Sequence, residues 1–302
     1  MSESRLCEGR VVVITGAGNG LGRAHALAFA AQGAKVVVND LGSGRDGDGA
    51  SGGPAQAVVD EIVAVGGTAV ANTDDISTWD GAGRLVKQAV EELGGLDVLV
   101  NNAGILRDRM LVSMTERDWD AVIAVHLKGT FATLHHAAAY WREQAKAGRP
   151  VDGRVINTSS PSGLFGSVGQ TNYGAAKAGI ASMTIIAAAE LGRYGVTVNA
   201  VAPTAMTRLT EDIEMMKQAA ETSDLSPEAI SPLVVWLGSA ASKAVTGRVF
   251  GAMGNRITVL EGWVNGPAAD AAERWDPAAL TDVVPDLVAK AAANADGMGE
   301  RP

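Results

Sequence analysis

The chain has 302 residues, 47% of them hydrophobic, enough for one large α/β domain or two small ones. A net charge of −9 without a basic stripe excludes a nucleic-acid partner, and the single cysteine, Cys7, excludes an intrachain disulfide framework. No apolar run reaches the length of about 18 residues that reads as a membrane span, and Met1-Ser2-Glu3-Ser4-Arg5 opens no signal peptide, so a cytoplasmic protein without a membrane partner is expected.

In chain order, Arg10 to Thr15 is a short β-branched run, a buried strand. It runs into Thr15-Gly16-Ala17-Gly18-Asn19-Gly20-Leu21-Gly22, and a helical pattern follows from Arg23 to Gln32. Strand, glycine-rich turn and helix in that order form a pyrophosphate cradle. Glycines allow close backbone approach, and the helix N-terminus offers free N–H groups. A second strand, Ala34 to Asn39, ends in Asp40, 24 residues past Gly16. The acidic residue that binds a ribose 2′-OH usually falls at an offset of about 20. Its carboxylate repels a 2′-phosphate, so NAD is expected in preference to NADP. Gly42 to Pro54, with six glycines in 13 residues, reads as a long surface loop whose Arg45 is a competing phosphate ligand.

Helices are expected over Ala55 to Val65 and Ser77 to Leu93, and strands over Thr68 to Ala71 and Leu96 to Val100. Strands alternating with helices mean βαβ units and a parallel sheet, with ligands bound outside the carboxyl ends of the strands. Gly16, Asp40, Asp75, Asn101 and Ser160 all fall at such ends. A long helix, Glu116 to Ala145, carries Trp119, His126, His135, His136, Tyr140 and Trp141; its broad apolarity suggests packing against more than one surface.

Arg154 to Thr158 is a strand leading to Ser159-Ser160, and Asn172 to Leu191 a helix. Tyr173 and Lys177 stand four apart there, on one helix face. An ammonium beside a phenol favours the phenolate and lowers a pKa that is about 10 in the free side chain. The Ser160 hydroxyl can then share a substrate oxygen with the Tyr. Thr197 to Val201 is a strand, Thr204 to Thr222 a polar, Met-containing candidate lid, Ser226 to Ser239 a helix and Thr246 to Gly251 the last strand. Residues 1–265 form one domain and 266–302 a C-terminal extension, helical near Asp276 to Ala293 and disordered from Asn294 to Pro302.

Thr15-Gly-x-x-x-Gly20-x-Gly22, Asn101-Asn-Ala-Gly104, Ser160, Tyr173-x-x-x-Lys177 and Asn199-Ala-Val-Ala-Pro203 occur together and in order. Over residues 8–252 this set resembles the short-chain dehydrogenase/reductase superfamily. Val36-Val-Val-Asn-Asp40-Leu-Gly, Asn102-Ala-Gly-Ile-Leu-Arg-Asp-Arg109, Val125-His-Leu-Lys-Gly129 and Gly166-Ser-Val-Gly-Gln-Thr-Asn-Tyr173 are similar to the (3R)-hydroxyacyl-CoA dehydrogenase domain of multifunctional enzyme type 2.

The resemblance implies a Rossmann-type doubly wound parallel sheet and an oxidoreductase that moves a hydride between NAD and a secondary alcohol or ketone. It implies Tyr173 as acid/base, Lys177 on the nicotinamide ribose and Ser160 orienting the reacting oxygen. Gly16, Asn19, Gly20, Leu21 and Gly22 would shape the pyrophosphate turn, and Asp40 would bind the adenine ribose. Asp75 and Ile76 would flank the adenine, with Asp74 as the competing carboxylate. Asn101, Ala103 and Gly104 would line the cofactor, and Pro203 to Thr207 its carboxamide end. His126 stands where the family usually has Asn in the proton relay; it either bonds a backbone carbonyl or holds the relay water. Pro203-Thr204 replaces the common Pro-Gly, and Phe250 to Trp263 replaces the usual Asp-Gly-Gly ending. The implied substrate is a 3-hydroxyacyl-CoA or hydroxysteroid-type alcohol. Competing readings are a 3-oxoacyl-carrier-protein reductase and a non-catalytic dinucleotide sensor. A homodimer or homotetramer built on the two long helices is implied as well.

Overall fold

The computed structural model describes residues 5–49, 51–207 and 223–301. Eight strands form one sheet: β1 (Val11–Thr15), β2 (Lys35–Asn39), β3 (Thr68–Asn72), β4 (Val98–Asn101), β5 (Gly153–Thr158), β6 (Val196–Thr204), β7 (Val249–Met253) and β8 (Arg256–Leu260). The order across it is β3-β2-β1-β4-β5-β6-β7-β8, parallel throughout except for antiparallel β8. The strand order reverses between β1 and β4, and a crevice opens at that point beyond the strand ends.

Helices cover both faces, so β1 is buried along its whole length. Alternate side chains serve opposite cores. Val12 and Ile14 join Phe29, Val58, Ile62 and Leu237, beneath α1 (Gly20–Ala31), α2 (Gly53–Ala64) and α8 (Ser231–Gly238). Val11 and Val13 join Leu85, Leu134, Trp141 and Leu191, beneath α3 (Trp79–Leu93), α5 (Gly129–Lys146) and α7 (Thr171–Leu191).

Several elements differ from the sequence expectation. Helix α1 starts at Gly20 rather than Arg23, so the last glycines of the turn already belong to its first helical turn. The helix expected over Glu116 to Ala145 is broken by a π-turn. It begins as α4 (Glu116–Ile123), fixed by a capping box between Thr115 and Asp118, and resumes as α5 after the π-turn Ala124–Lys128. Turns of this kind recur at functional sites, and this one carries the buried His126. The strand expected to be last is followed by β8, whose pairing with β7 depends on a tight turn at Gly254 with φ +53. The helix expected from Ser226 is a 3₁₀ turn, Pro227–Ala229, then the short α8.

Helix α7 with its following turn, Thr171–Tyr194, is long and apolar enough by length and composition to cross a membrane, but 44% of that window is buried inside the protein. Asn172, Lys177 and Thr184 are buried on it, which marks a core helix. Beyond Leu260 the chain runs exposed to α9 (Leu280–Lys290). Residues 294–302, expected to lack structure, include a hydrogen-bonded turn at Asp296 to Glu300, because the Asp296 carboxylate accepts from two following N–H groups. Most of the expected lid, residues 208–222, lies outside the described residues.

Candidate active site

At the end of β1 the Thr15 hydroxyl accepts from the N–H groups of Asn102 (3.0 Å) and Ala103 (3.1 Å). The Asn102 amide returns two bonds, to the carbonyls of Thr15 and Gly16, both at 3.0 Å. These contacts staple the ends of β1 and β4 so closely that a Cβ on Gly16 would lie 2.7 Å from the Ala103 Cα, and Gly16 itself has φ +63. One turn on, a Cβ at Gly22 would lie 2.1 Å from the Gly16 carbonyl oxygen. Gly22 therefore lets the helix press onto the turn from behind and does not line the cleft. Asn19 caps α1 in an extended conformation without a side-chain hydrogen bond. The first helical N–H groups thus stay available to an anion.

The Asp40 carboxylate accepts from Gly18 N (2.8 Å) and Gly42 N (2.7 Å), which fixes it at the lip of the glycine turn. Asp74 is engaged structurally: one oxygen pairs with Arg84 at 2.7 Å, the other accepts from Asn72 at 2.9 Å. Asp75 accepts from Ser77 N at 2.9 Å and, with Ile76, faces the same cleft. A cradle with bare glycines, an uncapped helix start and a fixed carboxylate fits a nicotinamide dinucleotide.

Ser160 caps a short helix, α6 (Pro161–Leu164), that crosses α7 at very close range; a Cβ on Gly163 would lie 2.6 Å from the Lys177 Cβ. This contact brings the Ser160 hydroxyl to the Tyr173 phenol, close enough to influence its pKa. Lys177 is buried, donates to the Thr158 carbonyl at 2.6 Å, and holds its Nζ 5.5 Å from the centre of the Tyr173 ring. Burial pushes the Lys177 ammonium down to about 7. Burial also raises Tyr173 above its ordinary value; the Ser160 hydroxyl pulls the other way and Asp108 adds to the rise. The lowering expected from the Lys177 ammonium is therefore not found: burial dominates, and the opposing pull comes from Ser160.

His126 meets the Tyr173 ring edge-on, with centroids 5.1 Å apart. Its Nε2 lies 2.8 Å from the Ile105 carbonyl oxygen and 3.1 Å from the Ile105 N–H; the tautomer decides which bond forms. Nδ1 is buried and has no hydrogen-bond partner among the described residues. Burial first, then the Lys177 charge, pushes this imidazole down to about 3, which favours its neutral form. Gly104 makes room for it: a Cβ there would lie 2.3 Å from the His126 Cε1.

One cavity of about 600 Å³ joins these parts. Gly16, Asn19, Gly20, Leu21, Asp40, Asp75, Ile76, Ala103, Gly104, His126, Ser160, Tyr173, Lys177, Pro203 and Thr207 all line it, as the sequence placed them at the site. Asn101 does not. It is buried below the cavity floor, donating to Asn157 at 3.0 Å and accepting from Thr133 at 2.6 Å, because the last residue of a strand between two neighbours bonds sideways. Sequence reasoning missed Thr15 and Asn102 as the staple. It also missed Asn172, which donates to the carbonyls of Arg107 and Asp118, both at 3.1 Å, and so ties α7 to the wall opposite. The adjacent Asn101-Asn102 pair was the available signal for the staple; Asn172 left none.

Residues 10–219 match the family model described as short chain dehydrogenase. The chain belongs to the short chain dehydrogenase family. It shares 47% identity over 296 residues with the hydroxyacyl-CoA dehydrogenase ChsB1 of Mycobacterium tuberculosis, covering 93% of this chain and 89% of that one. Over 232 residues it is 47% identical to peroxisomal multifunctional enzyme type 2 of Drosophila melanogaster, covering 76% of this chain and 36% of the relative. The crystal structure of a short chain dehydrogenase from Mycobacterium avium superposes with TM-score 0.87 at 59% identity, covering 96% of this chain and 98% of that one. As a short chain dehydrogenase, the protein is an oxidoreductase acting on a CH–OH group with a nicotinamide dinucleotide.

Proposed function

We propose that this dehydrogenase oxidises the hydroxyl of a 3-hydroxyacyl-CoA with NAD, hydroxysteroid-type alcohols being the second substrate class. The observation that carries the reaction is the convergence of Ser160, Tyr173 and Lys177 at the floor of a cavity continuous with the glycine turn. The hydroxyacyl-CoA class is supported by the relative named for that activity, which this chain matches over nearly its whole length. Asp40 at the lip of the turn supports NAD, because a carboxylate there repels a 2′-phosphate.

Ser160 and Tyr173 hold the substrate oxygen between their hydroxyls. Tyr173 takes the hydroxyl proton as the hydride leaves the same carbon. When bound, the nicotinamide supplies the hydride acceptor and, in its oxidised form, a positive charge that favours phenolate. Lys177, anchored by the Thr158 carbonyl and poised at about 7, can take up or release a proton at working pH and so connects the phenol to solvent. His126 and Gly104 keep the phenol ring from rotating out of line.

A homo-oligomer built on the long helices is part of this reading. Phe131 on α5 and Ile185 and Ile186 on α7 are exposed apolar side chains. NADH formation followed spectrophotometrically over a panel of hydroxyacyl-CoAs and hydroxysteroids tests the proposal. Turnover of hydroxyacyl-CoA supports it; failure with both classes rejects the substrate reading while the fold stands.

A further inference from the structure

Along with Gly166, Ser167 and Gln170, the cavity is lined by two residues from far along the sequence, Gly297 and Met298. These two residues sit in a turn closed by its own hydrogen bonds. Asp296 N donates to the Glu300 carbonyl at 2.8 Å, and Gly299 N to the Asp296 carbonyl at 2.9 Å. The Asp296 carboxylate accepts from Met298 N at 2.9 Å and Glu300 N at 3.0 Å.

Two contacts dock the turn. Gly299, at φ +86, lies against the Phe165 ring so closely that a Cβ would come within 2.6 Å of it. Arg256 on β8 pairs with Glu300 at 3.3 Å. That pair is exposed and weak, so the fit of glycine to ring is the stronger restraint. Phe165 directly follows α6, the helix capped by Ser160. The turn is thus seated on the same short segment that aims the catalytic hydroxyl. Met298 lines the cavity and remains 46% exposed. An unbranched thioether adapts to irregular apolar shapes.

We propose that the turn Asp296 to Glu300 forms the outer wall of the substrate compartment and that Met298 selects for substrates with a bulky apolar body attached to the reacting carbon. The inference rests on the proposed alcohol oxidation at Ser160 and Tyr173. It adds a specificity-determining residue that lies about 120 positions beyond Lys177 in sequence. Glycine is required at position 299 on two counts: its backbone lies in the left-handed region, and any side chain would push the turn off Phe165.

The test compares the full chain with Met298→Ala, with Gly299→Val, and with a chain ending after Ala293. The substrate panel pairs short-chain and bulky polycyclic 3-hydroxyacyl-CoAs with free secondary alcohols of matched bulk. NADH affinity is read separately by fluorescence titration. The expected result is a fall in kcat/KM of about tenfold for bulky substrates, the scale of losing one partly buried apolar contact. Short substrates and NADH affinity should stay within about twofold of the full chain. An unchanged bulky-to-short ratio in all three variants overturns the inference, as does a loss of NADH affinity that accounts for the whole effect. Oxidation of the free alcohols but of no thioester rejects the acyl-CoA reading and leaves the selectivity comparison intact on the alcohols.

Discussion

Replacing Asp40 by alanine gives the sharpest quantitative expectation. Its carboxylate is held by the N–H groups of Gly18 and Gly42 at the lip of the glycine turn, where an adenine ribose hydroxyl would meet it. A 2′-phosphate in that position brings two negative groups within about 5 Å; at an effective dielectric of about 20 the repulsion is about 3 kcal/mol per unit charge. The wild type also offers the 2′-OH of NAD a bond to a charged acceptor, worth about 1.5–3 kcal/mol. Solvent at the cleft edge screens part of both effects, so a total of about 3 kcal/mol, roughly a 150-fold preference for NAD, is expected.

Asp40→Ala also frees two backbone donors, which loosens the turn and lowers affinity for either dinucleotide. The diagnostic quantity is therefore the ratio of kcat/KM for NAD to that for NADP, measured side by side with one substrate. That ratio should fall by about a hundredfold, the factor that about 2.7 kcal/mol represents. A wild type that prefers NADP, or a ratio unmoved by the substitution, would refute the reasoning.

Three further expectations follow from the site. Lys177 sits at about 7 when folded, against about 10.4 unfolded, so between those values the unfolded chain binds the extra proton and stability rises with pH. The wild type should therefore gain on Lys177→Met by about 1.4 kcal/mol per pH unit from pH ~7 to ~9 in denaturant unfolding; a pH-independent difference contradicts the burial argument. Gly104→Ala drives a Cβ into the His126 ring that backs Tyr173, so Tm and kcat should both drop, with about 1–3 kcal/mol lost to overpacking; a normal kcat would show that His126 does not hold the phenol.

Arg107 bridges the cleft by donating to the Asp46 carbonyl at 2.8 Å and to the Asp48 carboxylate at 3.1 Å. Arg107→Ala should release the loop after β2 and speed NADH dissociation several-fold in stopped-flow. An unchanged off-rate would mean that this loop does not retain the cofactor.

What could be read from the sequence was the part whose geometry is local. The glycine turn lies between a strand and a helix, and Tyr173 and Lys177 share a helix face at a spacing of four, so neighbours in sequence are neighbours in space. Asp40 could be read because a strand end has only one place to go. Features set by distant contacts were not legible. The π-turn at Ala124–Lys128 has no marker in its residue types, and β8 exists because β7 offers an open edge. Met298 becomes a cavity residue because its turn docks on Phe165 and Arg256. The direction of the phenol's pKa shift was not legible for a related reason: the spacing reveals the nearby ammonium but not the burial that raises the phenol.

The measurement that bears most directly on the whole account is turnover by Tyr173→Phe on a 3-hydroxyacyl-CoA with NAD, alongside its NADH affinity. The ring and its contact with His126 survive the substitution while the proton-carrying oxygen is removed. The account predicts NADH binding within about twofold of the wild type and turnover reduced by at least about 10²–10⁴-fold, the contribution of general acid–base catalysis. Near-normal turnover by the phenylalanine variant would contradict it.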